Sequence, residues 1–113
     1  MNEKFAREIY KTIVNESCDI YKELYQNTEI TEKTVAYWKN ALELFRGLDD
    51  EQKEIFFSVI RQTIIDTISG VFGVIDGSST LGNEEFEFDF CINGINTEQE
   101  LQDTFLEIVE EEK

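Results

Sequence analysis

The stretch DDEQKEIFFSVIRQTIIDTISGVFGVIDG, residues 49–77, decides the fold. Its acids Asp49, Asp50, Glu51 and Glu54 crowd a first turn, where the helix dipole favours negative charge. Phe56, Phe57, Ile60, Ile64, Ile68, Val71, Phe72 and Ile75 then recur at helical spacing. Small or polar Ser58, Gln62, Asp66, Ser69, Gly70 and Gly73 run opposite them. The pattern predicts a helix to about Ile75, buried at the centre of the molecule, with Asp76-Gly77 as its stop. Val71 to Ile75 would also serve as a strand. The chain has no proline, which suits long helices, because proline removes a backbone donor and clashes with the preceding turn.

Two helices are expected upstream. Residues 3–26 place Phe5, Ile9, Ile13, Ile20 and Leu24 on one stripe and Tyr10, Val14, Cys18, Tyr21 and Tyr25 on a second beside it. So wide an apolar arc exceeds what one packing contact needs. The helix therefore lies deep between neighbours or contributes to a dimer contact. A second helix is expected from Thr31, a hydroxyl cap, to Gly47, a left-handed stop. Its inner face would be Tyr37, Trp38, Ala41, Leu44, Phe45 and Leu48.

Downstream, residues 77–84 read as a loop. Phe86, Phe88 and Phe90 then alternate with Glu87, Asp89 and Cys91, the period of a half-buried strand. Asn93-Gly94 is a turn, and Thr97 with Glu100 has the spacing of a capping box. The closing helix would face Leu101, Phe105, Ile108 and Val109 inward. The expected fold class is α+β, mostly α: three N-terminal helices, a short antiparallel strand element and a C-terminal amphipathic helix. It forms a single domain over 1–113, with a helical core at 1–75 and an acidic strand-and-helix segment at 76–113. A lone strand leaves backbone donors unpaired, so a second strand is expected within 71–82 or from another copy.

Charge separates the two segments. The chain holds 25 acids, 10 bases and no histidine, a formal charge of −15. Residues 1–75 carry 13 acids and 9 bases; residues 76–113 carry 12 acids and only Lys113. Such a charge repels nucleic acid and anionic membranes and attracts basic surfaces. Without histidine there is no familiar catalytic triad and no imidazole zinc site. No cofactor or metal is expected. Cys18 and Cys91 lack CxxC spacing, and a disulfide between them is not expected. The charged N-terminus lacks a signal-peptide core, and no window is expected to reach the ~18 apolar residues that would span a bilayer. A cytoplasmic protein is expected.

Three acidic constellations bear on function. Asp76, Ser78, Thr80 and Glu87 have the oxygen-ligand spacing of a calcium loop, but its sixth position, which needs glycine, is Leu81. A structural loop is the expected reading. Glu16, Asp19 and Glu23 on one helix, with Glu51, Glu54 and Asp66 on another, suggest magnesium-dependent nucleotide hydrolysis, but without the full motif that chemistry demands. Glu85, Glu87 and Asp89 would stand about 6–7 Å apart along a strand. Like charges in line repel unless a basic partner relieves them. Glu110, Glu111 and Glu112 crowd a helix C-terminus, the unfavourable end of the dipole. A solvated face accounts for these acids as well as a docking surface does.

The stretches Asp76-Gly77-Ser78-Ser79, Phe86-Glu87-Phe88 and Leu101-Gln102-Asp103-x-Phe105-Leu106 resemble a pattern found in small acidic bacterial proteins. Some of these are immunity-type partners of toxin systems. The resemblance covers the C-terminal third and implies a neutralising partner role, with no active residues to carry over.

The leading functional expectation is a non-enzymatic protein that engages a basic protein partner. Glu84, Glu85, Glu87, Asp89, Glu107, Glu110 and Glu111 would form its docking surface. The alternatives are a nucleic-acid mimic that occupies a DNA-binding protein, and the magnesium-dependent hydrolase. Self-association as a two-fold dimer is expected through Tyr10, Tyr21 and Tyr25, whose rings suit a contact that is apolar and wet at once. The competing expectation is that the third helix and the strand element cover both stripes within one chain.

Overall fold

In the computed structural model, which describes all 113 residues, helical backbone begins at Asn2 and runs to Asn27. It comprises α1 (Asn2–Ile9), a π-helical segment (Tyr10–Glu16) and α2 (Ser17–Asn27). The π segment has a packing consequence. In an ordinary α-helix a residue four places on overshoots its predecessor by about 40°. The wider π turn takes up that overshoot, so Ala6, Tyr10, Val14 and Cys18 stay in one row. Ala6, Tyr10 and Val14 are buried and Cys18 packs partly against the same core. The second stripe of the sequence is thus the inward one, and Ile13 and Ile20 of the first remain exposed.

The next helix, α3, spans Ala36–Arg46 and starts later than Thr31. Thr31 N–H donates to Thr34 Oγ1 (2.9 Å), and Lys33 N–H donates to Thr31 Oγ1 (3.2 Å). These local bonds hold residues 31–34 as a turn that competes with helix. Gly47 ends α3, but in right-handed rather than left-handed conformation. The inner face is also rotated: Leu42 and Phe45 are buried with Trp38 and Ala41 beside them, while Tyr37 and Leu44 face solvent.

Residues 49–77 fold as the sequence pattern requires. Asp49 Oδ1 accepts from Gln52 N–H (2.8 Å) and Gln52 Oε1 accepts from Asp49 N–H (3.0 Å), a reciprocal capping box. The helix it opens, α4 (Asp50–Asp76), ends at Gly77 in the left-handed region. The helix is not the buried centre, however. Only Ile65, Phe72, Gly73 and Asp76 are buried, and Ile55, Val59 and Val71 stay more than half exposed. Its role is to join two separate cores. Toward its start, Phe56, Phe57 and Ile60 pack around Tyr25, Leu42 and Phe45. Toward its end, Ile65 and Phe72 join Ala6, Tyr10, Val14, Leu101, Phe105, Ile108 and Val109. Against the expectation that no window is apolar enough to span a bilayer, α4 is long and apolar enough to cross a membrane by length and composition alone, with an 18-residue window of mean hydropathy 1.4. An average tolerates Arg61 and Asp66 inside that window, where an uninterrupted apolar run does not.

The strand element is a minimal hairpin. Strands β1 (Cys91–Ile92) and β2 (Ile95–Asn96) pair antiparallel, Cys91 with Asn96 and Ile92 with Ile95. Asn93 and Gly94 between them both have positive φ, as a two-residue hairpin turn that matches strand twist requires. The expected strand over 86–90 is not formed. The turn fixes the register, and pairing extends outward only as far as Thr97 N–H to Phe90 O (3.0 Å). The second strand lies neither in 71–82 nor in another copy, but directly after the turn.

Helix α5 (Leu101–Glu111) buries Leu101, Phe105, Ile108 and Val109, as its spacing predicts. The Thr97–Glu100 box is absent. Glu98 and Gln99 are both left-handed, and Thr97 is drawn into the interior. The cap comes from α4 instead: Asp76 Oδ2 accepts from Gln102 N–H at 2.7 Å. The Gln102 side chain returns the contact, donating to Ser69 O (2.9 Å) and accepting from Ser78 Oγ (3.1 Å). Gly73 leaves the room for it, since a Cβ there would come within 2.8 Å of Gln102 Nε2.

Asp76→Ala should therefore cost about 1–2 kcal/mol in urea unfolding, the range for losing a helix cap. Asp76→Asn, which keeps an acceptor oxygen, should cost less. An alanine variant as stable as the parent would contradict the cap.

Candidate functional site

The acids of the C-terminal third fall on two patches. The first follows from the abrupt stop of α4. Past Gly77 the chain turns away with little pairing, apart from an isolated bridge between Leu81 and Glu84. Residues 85–90 then run back without strand partners. Between this return and the end of α4 lies a cleft of about 460 Å³, lined by Val74, Ile75, Leu81 and Gln99 and by Glu85, Phe86, Glu87 and Phe88. Phe86 and Phe88 stack obliquely, with ring centroids 6.3 Å apart, yet both keep about half their surface exposed, 55% and 45%. The cleft thus has aromatic walls and two carboxylates at its edge.

Glu84, Glu85 and Glu87 have no lysine or arginine of the chain as an ion-pair partner. Asp89 is engaged by a hydrogen bond from Asn96 Nδ2. Glu85, Glu87 and Asp89 do not form the strand ladder expected of them, since segment 85–90 is not a strand. They belong to a loop, with Glu85 and Glu87 on the cleft and Asp89 turned to the hairpin.

The second patch is the outer face of α5. Asp103, Leu106, Glu107, Glu110 and Glu111 surround a shallow, open surface. Leu101, Phe105 and Ile108 face inward, so helical spacing leaves these acids outside. Arg7 answers the crowding at the C-terminus: its guanidinium reaches Glu111 at 2.7 Å, Glu3 at 2.8 Å and Glu112 at 3.9 Å. Glu3 first and Glu111 second raise the Arg7 pKa above its ordinary value. Lys113 pairs with Glu110 at 2.9 Å. Glu107 is left without such a partner. The two patches share no lining residue.

Of the three tyrosines expected at a self-contact, two are enclosed by their own chain. Tyr10 is buried and accepts a hydrogen bond from Arg61 (2.6 Å) where the π segment packs on α4. Tyr25 lies among Trp38, Phe45, Phe56 and Phe57, with centroids 4.9–6.5 Å away. Burial is the main cause that raises its phenol pKa. Tyr21 alone remains exposed, at 37%. The competing expectation, that the third helix and the strand element cover both stripes, holds only in part: Tyr10 and Tyr25 are covered, Tyr25 also by the second helix through Trp38 and Phe45, while Ile13, Ile20 and Tyr21 stay exposed.

The other constellations are dispersed. Asp76, first residue of the calcium-like spacing, commits its carboxylate to the start of α5. Asp19 and Glu54 line the same shallow cleft, with Lys22, Ser58 and Arg61, but no three acidic or thiol side chains converge at ligating distance. Both cysteines are free thiols. Sequence reasoning missed Phe86 and Phe88 as part of the site, because alternation alone assigns them to a core face. The signal lay upstream: Gly-Ser-Ser-Thr-Leu-Gly-Asn supplies too few apolar residues to cover them.

No family model matches the chain, and no curated protein or solved structure matches it either.

Proposed function

We propose that the chain is a non-enzymatic, cytoplasmic binding protein that captures a basic protein partner, with the cleft at Glu85 and Glu87 as its anchor. The observation that carries this reading is the unpaired state of these carboxylates beside two exposed aromatic rings. A lysine or arginine of the partner entering the cleft gains a charge-assisted hydrogen bond to either glutamate. Its cation also lies over the face of Phe86 or Phe88, a further attraction of about 0.5–1 kcal/mol at an exposed site. The second patch, Glu107 with Glu110 and Glu111, extends the negative field and speeds encounter more than it adds affinity.

A toxin nuclease fits this chemistry. The surface such an enzyme uses for a polyanionic substrate is basic, so an acidic protein seated there blocks substrate and neutralises charge together. Titration of the chain with a soluble arginine- and lysine-rich peptide tests the reading. Binding should occur at low salt and weaken steadily as salt rises. An absence of binding at low salt, or binding indifferent to salt, would overturn it.

A further inference from the structure

Residues 85–89 have the shape of a strand and lack its partner. All five are exposed, with no turn or bend among them and no positive φ. The ring centroids of Phe86 and Phe88 lie 6.3 Å apart, close to the roughly 6–7 Å that two residues of extended chain span. Asn96, paired with Cys91 in the hairpin, donates to the Asp89 carboxylate. Asp89 and Cys91 therefore share a face, as strand alternation requires. Yet no backbone N–H or C=O of residues 85–89 is bonded to another backbone group.

The hairpin fixes which edge is open. Residues that bond to one neighbour alternate with residues that face away along an antiparallel ladder. Phe90 O accepts from Thr97 N–H, so Asp89, Glu87 and Glu85 turn their backbone groups to the opposite edge. On the hairpin side, Glu98 and Gln99 are left-handed and lead the chain away to α5, so β2 cannot lengthen to cover the segment.

We infer, on the footing of the proposed capture of a basic partner, that this open edge takes up an extended segment of that partner as an added strand. Main-chain pairing supplies affinity in such recognition, and alternate side chains supply selectivity. Charge selects the occupant. Lysines or arginines at every second position of the incoming strand stand beside Glu85, Glu87 and Asp89 as favourable cross-strand pairs. Apolar residues between them cover the half-exposed Phe86 and Phe88. A second copy of this chain is disfavoured there, because its own 85–89 would set carboxylate against carboxylate. The exposed apolar rows of the helices offer no such edge, since their backbone groups are bonded within the helix.

Two peptides of identical composition provide the test, one alternating lysine with valine and one with its lysines in a single block. At equal low salt the alternating peptide should bind about tenfold more tightly or better, the sum of several cross-strand pairs. Methylating the amide nitrogens of its lysines, or of its valines, should abolish that preference in one case only, because a single edge of the added strand faces the chain. Amide hydrogen exchange gives an independent reading. With the alternating peptide bound, Glu85, Glu87 and Asp89 should gain protection while Phe86 and Phe88 keep exchanging. Equal affinity of the two peptides, still weakened by salt, would overturn the added strand and leave the capture of basic partners standing. Bound peptide without alternate protection would do the same. Failure of both peptides to bind at low salt would overturn the capture itself, and the strand with it.

Discussion

Charge reversal at Glu85, Glu87 and Asp89 to lysine is expected to slow association with a basic partner by ten- to a hundredfold and to flatten its salt dependence. The expectation follows from the geometry of the cleft. Glu85 and Glu87 line it without intramolecular cations, so each reversal removes an attraction and adds a repulsion to an incoming lysine or arginine. Complementary charge at exposed positions acts mainly on the encounter rate, over a range of about 10–10³. Stopped-flow or surface-based kinetics with the cationic peptide at two ionic strengths reads both effects. The three residues are exposed and support no core contact, so the variant should keep the parent's circular dichroism. The Asp89 change releases the Asn96 side chain, and its part should be the smallest.

The largest expected loss of stability is at Phe105. The ring is fully buried and meets Phe72 edge-on, with centroids 5.6 Å apart. It therefore ties α5 to the far end of α4. Phe105→Ala removes that burial and leaves a cavity, a change that costs about 3–5 kcal/mol. A domain of this size loses about 4–6 °C of Tm per kcal/mol. Thermal and urea unfolding at matched concentration measure the loss. Below about 1 kcal/mol, the α4–α5 core would not be packed as described. Because α4 runs through both apolar clusters, Leu42→Ala in the other one should lower the same cooperative transition rather than reveal a second.

Helices were the most legible part of the fold, for reasons that differ by element. The start and stop of α4 are written in side chains that act locally, Asp49 with Gln52 at one end and Gly77 at the other. The inward face of α5 follows directly from the spacing of Leu101, Phe105, Ile108 and Val109. Apart from the start of α3, delayed by the local bonds of Thr31 and Thr34, what failed were features set by tertiary context. Periodicity cannot tell which of two adjacent stripes turns inward, and the π segment, which has no sequence marker, chose the Tyr10 and Val14 row. Thr97 and Glu100 had the spacing of a cap, but Asp76 reached α5 from another helix. Alternation at Phe86, Phe88 and Phe90 describes a strand only where a partner exists, and the pairing set at Asn93-Gly94 ends at Phe90. The acidic site was legible as composition. Its division into a cleft and a helix face was not, because that depends on where the loop returns after Gly77.

Parallel affinity capture from a native extract on immobilised parent chain and on the Glu85, Glu87, Asp89 reversal tests the central claim most directly. The account predicts that the parent retains a basic protein of pI above about 9, that the protein elutes as salt is raised, and that the reversed chain fails to retain it. Retention of the same partner by both chains, or a retained partner that is neutral or acidic, would contradict it.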